Sequence, residues 1–235
     1  MWVGSGRWRS IRYRPVCGPL TSARCPGTMS EYRYSASPRF RHLALSALCL
    51  VSACAKASPN DSLGEASDSC DLAGVKTAIA ERADVNPKLE SGGLSPPMFA
   101  SRSGCLDVAK HLLAAGANPN AQDSIGITSL KLASSGGYVA LADALIHAGA
   151  DVNAKAGYQQ STALGWAARY GRPEMTKALL AAGADVNSGG LMGTPLTESI
   201  SSNKHTESGI HGNDYGTSEG HAAVERLLRE HGAHQ

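Results

Sequence analysis

Residues 141–153 read LADALIHAGADVN, and residues 175–187 read MTKALLAAGADVN. The two stretches share an apolar block, a glycine and a closing GADVN, 34 residues apart. Working outward, RADVN ends at Asn86, GANPN ends at Asn120, and HGAH begins at His231. Steps of 34, 33 and 34 residues separate Asn86, Asn120, Asn153 and Asn187. A fixed period of this length marks a repeat architecture. Apolar blocks also precede the other closing motifs: VKTAIAE from Val75, VAKHLLAAG from Val108 and VERLLREHG from Val224. Their apolar residues fall at i, i+1, i+4 and i+5, which is one helical stripe. The glycine after each of the last four blocks suits a left-handed helix end.

A second block lies upstream of each of these. SPPMFA starts at Ser95, TSLKLA at Thr128, TALGWA at Thr162 and TPLTES at Thr194. The hydroxyl of each Ser or Thr caps a first helix, and Pro96 and Pro195 fit its first position. DSLGEA from Asp61 falls at the matching offset, with Asp61 as the cap. These blocks resemble the ankyrin signature T-P-L-H-x-A, in a repeat of about 33 residues. The resemblance covers about residues 61–234. It implies an all-α ankyrin-repeat solenoid of about five stacked helix-turn-helix repeats with hairpin fingers. The repeats run over about 61–86, 87–120, 121–153, 154–187 and 188–235.

One helix pair cannot bury its apolar face alone, so stacked neighbours must share a core. Leu112, Leu113, Leu145, Ile146, Leu179, Leu180, Leu227 and Leu228 are the expected core, with Ala100, Ala133 and Ala167 allowing close packing. The first repeat has Ala78 and Ile79 in place of the leucine pair and Arg82 in place of the glycine, so it reads as a terminal cap. The fifth repeat is interrupted. Nine residues separate the Ser or Thr cap from the glycine opening the second helix in repeats two to four, but 26 separate Thr194 from Gly220. The polar, Gly- and Ser-rich segment 201–219 reads as an inserted loop, either a tolerated excursion or a specificity element.

The charge is divided. Residues 1–42 hold eight arginines and one acid, Glu31, while the remainder carries 14 basic and 19 acidic side chains. The repeats therefore lack the basic patch that a nucleic-acid partner needs. LALSALCLVSAC, residues 43–54, is the most apolar stretch, and Arg33, Arg39 and Arg41 precede it. Leu43–Ala53 is too short to span a bilayer, which takes about 20 residues, but it suits the h-region of an export signal. Val51-Ser52-Ala53-Cys54 resembles the bacterial lipobox, which implies a diacylglycerol on Cys54 and cleavage before it. An ordinary signal peptide cut after Ala53 or Ala57 is the alternative. A leader running from Met1 would be overlong, so Met29 is the expected start. That leaves 1–28 as an upstream artefact or extension, 29–53 as the signal peptide, 54–60 as a lipidated tether and 61–235 as the repeat domain. The resemblance places the chain facing the periplasm, with Ala55 favouring the outer membrane; a soluble periplasmic chain is the alternative.

Cys17, Cys25 and Cys49 would leave with the leader, so only Cys70 and Cys105 remain beside Cys54. Aligned by repeat, Cys70 matches Gly104, so both cysteines fall in inter-helix turns of adjacent repeats. A bridge needs Cα atoms about 4.4–6.8 Å apart. Adjacent repeats stack wider than that, although the one-residue offset narrows the gap. The pair is therefore a disulfide or two small buried thiols. His205, His211, His221, His231 and His234 show no metal-ligand spacing, so neither a metal nor a cofactor is expected. No nucleophile–base motif or phosphate-binding glycine loop occurs, and no enzyme is expected. SGGL at Ser91 and SGGLMG at Ser188 fall in the fingers, where glycine serves tight turns.

Binding of another protein is what the resemblance implies, through the fingers and the exposed face of each first helix. The candidates are Lys88, Glu90, Gln122, Asp123, Tyr158, Gln159, Gln160, Leu191 and Met192 in the fingers, and Arg102, Arg169 and Tyr170 near the ends of first helices. Trp166 is a hot-spot type but shares its position with Phe99 and Leu132, which favours core. Three roles stay open: an adaptor or scaffold in the bacterial envelope, an inhibitor or immunity protein occluding a toxin or enzyme, and a cytoplasmic or host-delivered ankyrin protein.

Overall fold

The computed structural model describes residues 58–87, 93–155, 160–191, 193–207 and 216–234. The apolar run and Cys54 lie outside the described residues. So do Lys88, Glu90, Tyr158, Gln159 and Met192. The described residues form five helix pairs: α1 (Pro59–Asp68) and α2 (Leu72–Ala80), α3 (Pro96–Ser103) and α4 (Leu106–Ala114), α5 (Ser129–Gly136) and α6 (Val139–His147), α7 (Ala163–Arg169) and α8 (Pro173–Ala181), α9 (Pro195–Glu207) and α10 (Ser218–Glu230). Each first helix packs on the first helix of the next pair, and each second helix on the next second helix. None of the described helices is long and apolar enough to cross a membrane.

The core lies between the two rows. Leu112, Leu145, Leu179 and Leu228 are completely buried, as are Ala100, Ala133 and Ala167. The leucine pairs split, however. Leu113, Ile146 and Leu180 are only partly buried against the core, and Leu227 is half-buried. Consecutive helical residues point about 100° apart, so only one of each pair can face straight into the stack. Thr128 Oγ1 accepts from the Lys131 N–H, and Thr162 Oγ1 accepts from the Gly165 N–H. Ser95 holds the same place, but its buried Oγ has no partner among the described residues.

Three boundaries differ from the sequence expectation. The first helix starts at Pro59, with Ser58 rather than Asp61 as its cap: Ser58 Oγ accepts the Asp61 N–H at 3.2 Å. In the fifth repeat, residues 201–207 continue α9 instead of forming a loop. Ser201–Glu207 contains neither proline nor glycine to stop a helix. Likewise α10 starts a turn early on the Thr217 cap, so Gly220 lies inside a helix rather than at its opening. The middle of the expected insert, 208–215, lies outside the described residues.

Two ladders join the repeats. In the first, Asn86 Oδ1 accepts from the Asn118 N–H at 2.7 Å while its Nδ2 donates to the Gly116 carbonyl at 3.1 Å. Asn120, Asn153 and Asn187 repeat the pattern toward Asp151 and Gly149, Asp185 and Gly183, and His234 and Gly232. No earlier asparagine of this kind serves the first repeat. Asn60 takes that place, its Oδ1 accepting from the Asp84 N–H at 2.8 Å.

The second ladder runs through the inter-helix turns. Cys70, Gly104, Gly137 and Gly171 all have left-handed backbone, with φ of 59°, 76°, 75° and 57°. On each sits a residue of the next repeat: Cys105, Tyr138 and Arg172, which cap the second helices, and His221, which lies within α10. A Cβ on Gly104 would lie 2.7 Å from the Tyr138 ring, one on Gly137 3.2 Å from Arg172 Cδ, and one on Gly171 3.1 Å from the His221 ring. At the first interface the same two positions are Cys70 and Cys105, joined by a disulfide with Cα atoms 5.1 Å apart. The left-handed turn and the one-residue offset bring these cysteines within bridging range.

Candidate protein-binding face

Four residues beyond each first-helix cap stand Phe99, Leu132 and Trp166, all half-buried. Trp166 is thus neither fully core nor free, because its position lies at the edge of the buried stripe. Its ring centroid is 6.1 Å from that of Tyr170, at the end of α7. Arg102 lies with its guanidinium carbon 5.2 Å from the Phe99 ring centroid. Its Nη2 is 2.9 Å from Asp68 Oδ1, a carboxylate that Ser103 Oγ also reaches at 2.8 Å. Arg169 is half-buried beside Tyr170. An apolar row flanked by guanidinium groups and a phenol therefore runs along the first helices.

The fingers border this row. Asp123 turns its carboxylate inward, Oδ1 accepting the Ile125 N–H at 3.0 Å and the Ile127 N–H at 2.7 Å. It shapes the finger rather than offering a free charge. The turn leaves Ile125 60% exposed, and Leu191, on the finger closed by a Gly190–Gly193 bridge, is 70% exposed. Gln122 pairs with Thr128 across the finger base. Gln160 is exposed with left-handed backbone at φ 51°. A family model of ankyrin repeats in three copies matches residues 63–156 and 98–189.

The chain belongs to the ankyrin-repeat family. No curated protein matches it. Ankyrin repeats are protein-interaction modules, and proteins built of them are generally non-enzymatic. The fifth pair, α9 and α10, lies beyond the family match and continues the stack.

Beneath the ankyrin face lie two charged side chains that sequence reasoning missed. Lys131 is 2% exposed and Glu198 is 4% exposed. Lys131 stands where the signature has histidine, between Met98 and Gly165 in the neighbouring repeats. Glu198 continues the row of Phe99, Leu132 and Trp166. Gly165 makes room for it: a Cβ there would lie 2.5 Å from Ser161 Oγ and 2.9 Å from Glu198 Oε1. Ser161 Oγ donates to Glu198 Oε1 at 2.7 Å, while Oε2 is buried without a partner among the described residues. Burial pushes the Glu198 carboxyl up, against the Ser161 bond and the charges of Arg169 and Lys131. Burial likewise pushes Lys131 down to about 8, against Asp123 and Glu198. The signal was legible as two polar residues at positions filled by Met98 and Trp166, but their mutual influence needs the third dimension.

Ser199 Oγ lies 3.4 Å from His221 Nδ1, yet both residues are completely buried and closed to a substrate. Among the described residues no cluster of three or more His, Cys, Asp or Glu is arranged to hold a metal.

Proposed function

We propose that this chain is a lipid-anchored adaptor of the bacterial envelope that holds another protein on its first helices and fingers. The observation that carries the binding reading is the row Phe99, Leu132 and Trp166, half-buried and bordered by Arg102, Tyr170, Ile125 and Leu191. Aromatic side chains and arginine are the residue types that dominate binding energy at protein interfaces. Half-burial holds them in place before a partner arrives, which lowers the entropy cost of docking.

Two observations support the envelope. The lipobox-like Val51–Cys54 follows an apolar run of export length. The Cys70–Cys105 disulfide suits an oxidising compartment. Facing the periplasm, with Cys54 acylated in the outer membrane, the repeats would meet soluble and membrane-attached partners alike.

The test is affinity capture from envelope extracts with the wild-type chain and Trp166→Ala. A partner retained by the wild type and lost at least tenfold with Trp166→Ala supports the face. Equal capture by both contradicts it. Assaying the captured protein's own activity separates an adaptor, which preserves it, from an inhibitor, which abolishes it. Intact mass of the membrane-extracted chain and of Cys54→Ala tests the anchor. A diacylated species beginning at Cys54, absent from the variant, is expected, and an unlipidated chain retaining residues before Cys54 sinks the anchor.

A further inference from the structure

We propose that the Cys70–Cys105 bridge is a thiol–disulfide exchange site, and that opening it releases the first repeat from the stack. Three observations converge on it. First, the two half-cystines differ in exposure: Cys70 is exposed on the α1–α2 turn, whereas Cys105 is buried. An attacking thiolate therefore reaches Cys70. Second, Cys105 is the N-cap of α4, which has no side-chain cap bond. The electron pair leaving on the Cys105 sulfur meets the positive end of that helix, which favours a thiolate leaving group.

Third, the bridge replaces packing that later interfaces possess. Tyr138, Arg172 and His221 each lie across the preceding left-handed turn. Arg172 adds a bond from Nε to the Ser135 carbonyl at 2.9 Å. Cys105 is far smaller than any of them, so without the bond the first joint has little to fill it. The second helix of the first repeat also offers a smaller side chain to the core. Ala78 stands where later repeats bury Leu112, Leu145 and Leu179. Its other ties across this interface include the exposed Asp68–Arg102 pair and the Asn86 bonds at the surface, and exposed pairs contribute little.

The reaction needs a dithiol. Its first thiolate bonds to Cys70 Sγ as the Cys70–Cys105 bond breaks, and the pair goes to Cys105 Sγ, which takes a proton from water. Its second thiolate then attacks the mixed disulfide, closes the reagent's own disulfide and releases Cys70 as a thiolate. The dithiol loses two electrons and the protein bridge gains them. A protein dithiol is the partner class this site fits, since Cys70 is an exposed residue on a surface turn.

The test uses the full chain purified without reductant. Limiting glutathione, acid quenching and peptide mapping locate the first adduct; it is expected on Cys70. Dithiothreitol under native conditions, followed by hydrogen exchange, should speed amide exchange in residues 59–80 at least tenfold and leave 106–181 unchanged. The double variant Cys70→Gly with Cys105→Tyr transplants the Gly104–Tyr138 joint, and its first repeat should stay protected with or without dithiothreitol. An adduct on Cys105, a bridge that resists dithiothreitol until the chain unfolds, or exchange that does not change in 59–80 would each overturn the proposal. So would loss of protection in the double variant on adding dithiothreitol.

Discussion

Lys131 and Glu198 place two charges beneath the face, and their pH effects run in opposite directions. The unfolded chain keeps the Lys131 ammonium up to about 10.5, whereas the folded chain sheds its proton near 8. Between those values the unfolded state binds more protons, so stability rises with pH across that window. Lys131→Met, which copies Met98, should abolish this rise in urea unfolding from pH 7.5 to 10.5. It should also stabilise the fold at pH 7 by on the order of 2 kcal/mol. The folded-state value of Glu198 lies above its ordinary 4.5. The folded chain therefore holds a proton that the unfolded chain releases, and stability falls as pH climbs above about 4.5. Glu198→Gln should flatten that fall, raising Tm at pH 7 and leaving it unchanged at pH 4. Gly165→Ala, by crowding Ser161 and Glu198, should cost about 1–3 kcal/mol in the same unfolding experiment.

At the scale of the helices, caps decide where elements begin. Thr217 Oγ1 accepts the Gly220 N–H at 3.1 Å and starts α10 a turn early. Thr217→Ala should cost about 1 kcal/mol, read from urea midpoints. The helices of repeats two to four were legible in the sequence because period, cap and glycine agree at Thr128, Val139 and Gly149. The ends of the stack were not. Ser58 and Asn60 lie ahead of the recognisable pattern, and their roles follow from meeting Asp61 and Asp84. The apolar pairs were legible as helix faces, but which leucine is deeper depends on neighbours from other repeats. Arg102 was legible as a face residue; its hold on Asp68, 34 positions away, was not.

At the scale of the whole stack, stability is a sum over repeats and the joints between them. Asn153 serves two neighbours, donating to Gly183 and accepting from Asp185. Asn153→Ala should cost about 1–3 kcal/mol, and hydrogen exchange should quicken on both sides of that joint. The face is a property of this scale too, because Phe99, Leu132 and Trp166 come from three repeats. Site-specific photo-crosslinking in cells tests it most directly. A benzophenone amino acid would replace Trp166, Leu191 or, on the exposed side of α8, Lys177. One protein adduct of common mass from Trp166 and Leu191, with none from Lys177, is the result expected of a partner on the first helices and fingers. The same adduct from Lys177, with none from Trp166, would contradict it.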